Sequence, residues 1–221
     1  MRALALILSC LLASPAAAGP WPREEGVRYL SLTASRDGDG DWFALYGEQG
    51  LGRGFTLVFE AGGRPIPVFP EDRRTALSMR WSAPQWRGWQ GALSLGVAAD
   101  LGDLFIYPDP HVKYGASLGR GVETPLGPGW AALDLLTEPG RTGGSRKGFG
   151  AVAGLRPAEG WTVELGLYGE DTEEPIVNET KDSSLVLAPA IAREVGPVQL
   201  RLGATAGTSG GGLSIGIAGQ F

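Results

Sequence analysis

Apolar side chains recur at every second position in twelve segments of the chain, and clusters of Gly, Pro, Asp or Asn separate these segments. A period of two places successive side chains on opposite faces of an extended strand, and helical spacing is hard to find. The clearest rows are Phe55, Leu57 and Phe59; Leu93, Leu95 and Val97; Trp161, Val163, Leu165 and Leu167; Val198, Leu200 and Leu202; and Leu213, Ile215, Ile217 and Phe221. The pattern predicts an all-β protein with about twelve strands, and ten strands is the nearest alternative.

The predicted connections alternate in length along the chain. Tight links such as 50–54 and 157–160 follow four of the even-numbered segments, and longer polar stretches such as 62–74 and 170–183 follow most odd-numbered ones. Short turns at one end and long loops at the other are typical of a transmembrane β-barrel, and an even strand number places both termini at the same end. We therefore expect residues 19–221 to form a single antiparallel transmembrane β-barrel.

The chain ends in an alternating strand with an apolar outer face, a small polar inner face and a terminal phenylalanine. This ending resembles the closing strand of small Gram-negative outer-membrane β-barrel proteins of the porin-like class. The resemblance implies that Leu213, Ile215, Ile217 and Phe221 form an assembly signal for the barrel-assembly machinery. It also implies that outer-membrane lipid and lipopolysaccharide surround the protein.

The first eighteen residues have the pattern of a secretory signal peptide. Met1 and Arg2 precede an apolar run that ends in Ala16, Ala17 and Ala18, so we expect cleavage after Ala18 and export to the outer membrane. The chain's one cysteine, Cys10, lies in this segment, which excludes a disulfide framework for residues 19–221. The formal net charge of −5 argues against a nucleic-acid partner.

Charged residues fall on the face opposite the apolar rows. The six candidates for the lumen are Glu60, Arg80, Lys113, Asp134, Glu164 and Arg201, and small residues surround them in the sequence. One interpretation is a narrow channel for passive transfer of small solutes. A second interpretation is a sealed structural or adhesive barrel. It would be favoured by bonds across the interior from Arg80 or Arg201 to one of three carboxylates, Glu60, Asp134 and Glu164. A third is a secreted soluble β-barrel binding protein with the aliphatic rows as its core.

Six tryptophans near predicted strand ends suggest the aromatic girdles of a membrane interface, and a buried core is the alternative. They are Trp21, Trp81, Trp86, Trp89, Trp130 and Trp161.

Catalysis has little support in the sequence, and we expect neither an enzyme nor a cofactor. His111 is the only histidine, and Ser117 is the nearest candidate nucleophile. Outer-membrane phospholipase A and the lipid A deacylases use a Ser and a His, but the Ser-Asn that follows their His is missing after His111. We expect no metal site, although Asp37, Asp39 and Asp41 are weak calcium candidates at alternate positions.

Overall fold

Twelve antiparallel strands form one closed sheet in the computed structural model, in which β1 pairs with both β2 and β12. The structure describes residues 19–37, 40–65, 73–100, 109–139, 145–173, 181–208 and 210–221. The strands are β1 (Arg28–Asp37), β2 (Gly40–Gly52), β3 (Phe55–Gly63), β4 (Arg73–Ser82), β5 (Trp89–Asp100), β6 (Asp109–Thr124), β7 (Gly127–Pro139), β8 (Ser145–Ala158), β9 (Trp161–Glu173), β10 (Lys181–Val195), β11 (Val198–Gly207) and β12 (Gly210–Gln220). The prediction of a twelve-stranded antiparallel barrel is confirmed, and the ten-stranded alternative is wrong. The predicted signal peptide lies outside the described residues.

The two ends of the barrel differ in their connections. At one end, which we call the turn end, residues 53–54, 83–88, 125–126, 159–160 and 196–197 join consecutive strands. Both β1 and β12 also reach this end, where Arg28 and Phe221 exchange backbone hydrogen bonds of 3.0 and 2.8 Å. The opposite end, which we call the loop end, carries the connections that the sequence predicts to be mostly longer. In a transmembrane barrel the short turns and the termini belong to the periplasmic side.

The predicted apolar rows face outward on every strand. On β5, for example, Leu93, Leu95 and Val97 remain 59%, 57% and 55% exposed. An apolar surface of this extent is unfavourable in water, whereas it matches the lipid-facing band of a membrane barrel. Strand lengths of nine to sixteen residues are sufficient to cross a bilayer at the tilt of such barrels. The described residues contain no helix that is long and apolar enough to span a membrane.

Three arginine–tryptophan pairs mark the outer surface at the turn end. Arginine guanidinium groups lie over the rings of Trp86, Trp89 and Trp161 at 4.9, 5.5 and 4.8 Å from the ring centres, and the arginines are Arg87, Arg120 and Arg193. Tryptophan rings with an adjacent cation are favoured at the depth of the lipid headgroups, because the ring is apolar on one side and polar at its N–H. These three tryptophans, together with the exposed Trp81, lie where an interfacial girdle is expected.

The prediction that Trp21 and Trp130 belong to the interfacial girdle is wrong, because both side chains lie inside the barrel. Trp130 is 9% exposed, and its ring occupies the space above Gly154 on the inner face of β8. Trp21 packs against Gly119 of β6. Proximity to a strand end predicts depth in the membrane, but it does not distinguish the outer face from the lumen.

Candidate functional site: the barrel lumen

All six charges proposed for the lumen lie on the inner face of the barrel. Lys113 on β6 donates a hydrogen bond to Glu60 on β3, and Arg201 on β11 lies 2.7 Å from Glu164 on β9. Asp134 on β7 accepts a hydrogen bond from Ser117 on β6. The sixth, Arg80 on β4, bonds a carboxylate that the sequence analysis did not assign to the lumen.

That carboxylate is Glu48 on β2, and it is the centre of a buried cluster at the turn end. Arg23 donates to one of its oxygens, and Arg80 Nη1 lies 2.8 Å from the other. The Tyr46 hydroxyl also donates to Glu48. The Glu48 side chain is 1% exposed, and Arg23 and Arg80 are nearly as buried. One buried carboxylate therefore bonds two buried guanidinium groups and neutralises one of their two positive charges, so its loss would leave both guanidinium groups without this partner.

The segment that precedes β1 lies inside the barrel. We call residues 19–27 the N-terminal strap. Glu24 passes over Gly50 on β2, Arg23 N donates to Thr56 Oγ1 on β3 at 3.3 Å, and Arg80 on β4 donates to the Trp21 carbonyl at 3.2 Å.

Beyond Trp21, the strap continues across the barrel from β4 to β7. Pro20 and the Trp21 ring lie against Gly119 on β6, and Gly19 lies against Ala132 on β7. Pro20 is fully buried. The strap therefore covers the turn end of the inner wall from β2 to β7.

Two glycines create the room for this path. A Cβ atom at Gly50 would lie 1.8 Å from the Glu24 carbonyl oxygen, and one at Gly119 would lie 2.8 Å from both Pro20 and Trp21. Side chains at these positions would collide with the strap, since real Cβ atoms do not approach other atoms so closely. The wall is thus shaped for the strap by residues that look like ordinary small lumen positions in the sequence.

A second charged network lies near the loop end. Arg74 on β4 donates to Glu138 on β7, and it lies 3.7 Å from Asp100 on β5. His111 Nε2 lies 3.3 Å from Glu138, whose side chain is fully buried. On the next strands, Arg146 Nη2 and Glu170 Oε2 are 2.5 Å apart. Near the mouth, these bonds link neighbouring strands and, through Arg74 and Glu138, also link β4 to β7.

The lumen pairs join strands that are close in the wall. Among the pairs described above, the largest separation is three strands, for Lys113 with Glu60 and for Arg74 with Glu138, whereas opposite walls of this barrel are six strands apart. Arg201 does bond Glu164, but only two strands separate them. This bond runs along the wall and does not cross the interior, so it lacks the geometry that would favour a sealed barrel.

The remaining wall, formed by β10, β11, β12 and β1, carries the charged Arg201 on β11, but most of its other inner residues are small. It presents Ser31, Thr33, Ser35, Ala188, Ala190, Gly203, Thr205, Ser214, Gly216 and Ala218. Most of these residues are only half-buried, because the strap does not pass over this wall. The lumen therefore has a charged wall, partly covered by the strap, and a small-residue wall that remains accessible.

The catalytic candidates are far apart. Ser117 and His111 lie on the same inner face of β6, six positions from each other. At the rise of a strand this separation is about 20 Å, whereas a nucleophile and its base must be within hydrogen-bond distance. Ser117 instead bonds Asp134, and His111 contacts Glu138. These residues do not form a nucleophile–base pair.

The weak calcium candidates do not form a site in the described part of the chain. Asp41 is paired with Arg36 by bonds of 2.5 and 2.8 Å, because the β1–β2 register places these two residues directly opposite each other. Asp37 is the last residue of β1, and Asp39 lies outside the described residues. Among the described residues, no group of three or more metal-ligating side chains is present.

Comparison of this chain with known proteins identifies its fold through solved structures. No family model matches the sequence. No curated protein matches it either. Among solved structures, the KdgM porin superposes with a TM-score of 0.64 at 10% identity, covering 87% of this chain and 99% of the porin. The NanC porin superposes with a TM-score of 0.64 at 8% identity, covering 86% and 98%. A KdgM porin in complex with disordered oligogalacturonate gives 0.63 at 11% identity, covering 87% and 99%. The chain has a porin-like β-barrel fold.

Proposed function

We propose that this protein is an outer-membrane channel through which small polar solutes diffuse passively. The observation that carries the proposal is the lateral pairing of the lumen charges. Because these pairs run along the wall and do not cross the interior, the small residues of β10–β12 and β1 remain accessible along the lumen. Twelve strands also give a diameter between that of side-chain-filled barrels and that of open porins.

The location in the outer membrane is part of the same proposal. The exposed apolar rows supply a lipid-facing surface, and the polar inner face supplies a path for water. The secreted soluble alternative does not fit this arrangement, because a soluble barrel places its aliphatic side chains inside. The shared fold of KdgM and NanC, both named as porins, supports a channel, and the signal peptide expected at residues 1–18 supports export.

The channel can be tested by recording currents from the purified protein in planar lipid bilayers. We expect stepwise conductance from the parent protein. Ser214→Trp should lower the conductance because Ser214 faces the accessible wall. Ile215→Trp is the matched control, since the neighbouring side chain faces lipid and is 59% exposed.

Folding of each variant is checked by the heat-dependent mobility of the barrel on a denaturing gel. Equal conductance of the two tryptophan variants would contradict the path along β12. A folded parent protein that gives no current would contradict the channel and favour the sealed structural or adhesive barrel.

A further inference from the structure

The strap occupies the end of the lumen at which short turns connect the strands. It enters beside β1, where Gly26 N donates to the Gly50 carbonyl at 3.0 Å and Gly50 N donates to the Val27 carbonyl at 2.9 Å. From there it crosses β2 to β7, where Gly19, the first described residue, lies against Ala132. The strap thus extends over six of the twelve strands, on the side opposite the small-residue wall.

The anchor of the strap is polar and buried. Chain termini are normally poorly ordered unless specific contacts hold them. Here Arg23 is 6% exposed, and it is bonded to Glu48 while its guanidinium lies 4.7 Å from the centre of the Tyr29 ring. A buried ion pair contributes little net stability compared with apolar packing, but it fixes one geometry strongly. The anchor therefore specifies the position of the strap.

We propose that the N-terminal strap, rather than the barrel wall, sets the cross-section of the pore at its turn end. Arg23 is the positioning residue, and Glu48 is its receptor in the wall. Solutes pass between the strap and the small-residue wall of β10–β12 and β1. Since the pore is itself a proposal, this inference rests on the proposed function, and the two need separate tests.

The position of the strap can be measured without any current. In a Cys10→Ser background, Pro20→Cys places one thiol at a fully buried strap position. We expect slow reaction with a small charged methanethiosulfonate reagent. Glu48→Gln should accelerate the labelling at least about tenfold, because a buried ion pair that loses one partner is strongly destabilised. Glu164→Gln is the matched control, since it removes a lumen carboxylate that pairs with Arg201, outside the strap. Rapid labelling of the parent protein would overturn the proposal.

The contribution of the strap to the pore is then measured as conductance. Removal of residues 20–24 should raise the conductance on the order of twofold, since the strap covers half of the strands at this end of the barrel. Glu48→Gln should also raise the conductance or make it fluctuate. The inference fails if Glu48→Gln accelerates the labelling but neither Glu48→Gln nor the removal of residues 20–24 changes the conductance. The wall then sets the cross-section, and the channel itself is retained.

A silent parent protein gives two further outcomes. If the shortened protein conducts, the strap seals the barrel, which supports the inference and overturns the passive channel. If the shortened protein is also silent while its gel mobility shows a folded barrel, both proposals are overturned.

Discussion

At the scale of single residues, burial separates the lumen ion pairs into two kinds. Glu48 is 1% exposed and bonds both Arg23 and Arg80, whereas the pair of Arg146 and Glu170 keeps 31% and 38% of its side-chain surface in contact with solvent. Removal of one partner from a buried pair leaves an uncompensated charge, whereas an exposed pair is screened by water. The same chemical change should therefore have different consequences at the two sites.

We predict that Glu48→Gln lowers the free energy of unfolding by about 3–5 kcal/mol. Glu170→Gln, the matched carboxylate-to-amide change, should lower it by less than about 1 kcal/mol. The measurement is urea unfolding in lipid vesicles, followed by the loss of the fast-migrating folded band on an unboiled gel. Equal losses for the two variants would show that burial at Glu48 does not decide its contribution.

The side of the barrel that a residue faces could be predicted from the sequence, but its partner could not. Alternation alone assigns Lys113 and Glu60 to the inner face. Their contact depends on the stagger between β3 and β6, which closure of the barrel sets. Glu48 was missed for a related reason. Its partner Arg23 lies in a segment without any alternation, so nothing in the sequence indicated that this carboxylate is bonded inside the barrel.

At the scale of the secondary-structure elements, β12 has a structural role and a predicted assembly role that can be separated. Phe221 pairs with Arg28 through its backbone alone, with N–O distances of 2.8 and 3.0 Å. Its side chain is 70% exposed on the outer face. A change of this side chain should therefore leave the closed sheet intact once it has formed.

We predict that Phe221→Ser sharply reduces the amount of folded protein in the outer membrane, because the resemblance of the last strand implies that the terminal ring is part of the assembly signal. The readout is the heat-modifiable band in isolated outer membranes. Leu126→Ser is the control, since Leu126 is 68% exposed in a turn at the same end. Normal assembly of the Phe221 variant, or an equal defect in the control, would remove the assigned role of Phe221.

The twelve strands were predictable because one physical rule, apolar side chains toward lipid, applies to all of them. The strap was not predictable, since residues 19–27 contain no alternating row, and Trp21 was therefore placed at the membrane interface. Its position is defined only after the barrel closes and brings Gly119 and Ala132 to the same level. Elements that depend on the closed barrel carry no local pattern of their own.

At the scale of the whole molecule, the lumen combines positive and negative groups at the same level of the wall. Arg201 is 42% exposed and its partner Glu164 is 14% exposed, so this pair faces the accessible part of the lumen. A paired guanidinium and carboxylate produce a local field with little net charge. The intact channel should therefore discriminate weakly between small cations and anions.

We predict opposite selectivity changes when the two members of this pair are neutralised one at a time. Arg201→Gln leaves the Glu164 carboxylate uncompensated and should shift the reversal potential in a KCl gradient toward cation preference. Glu164→Gln leaves the Arg201 guanidinium and should shift it toward anion preference. Arg193→Gln is the control. Arg193 lies over Trp161 on the outer face, so this substitution removes the same charge outside the lumen. Opposite shifts with an unchanged control place the conducting path beside β9 and β11, whereas shifts of the same sign or an equal shift in the control would exclude that path.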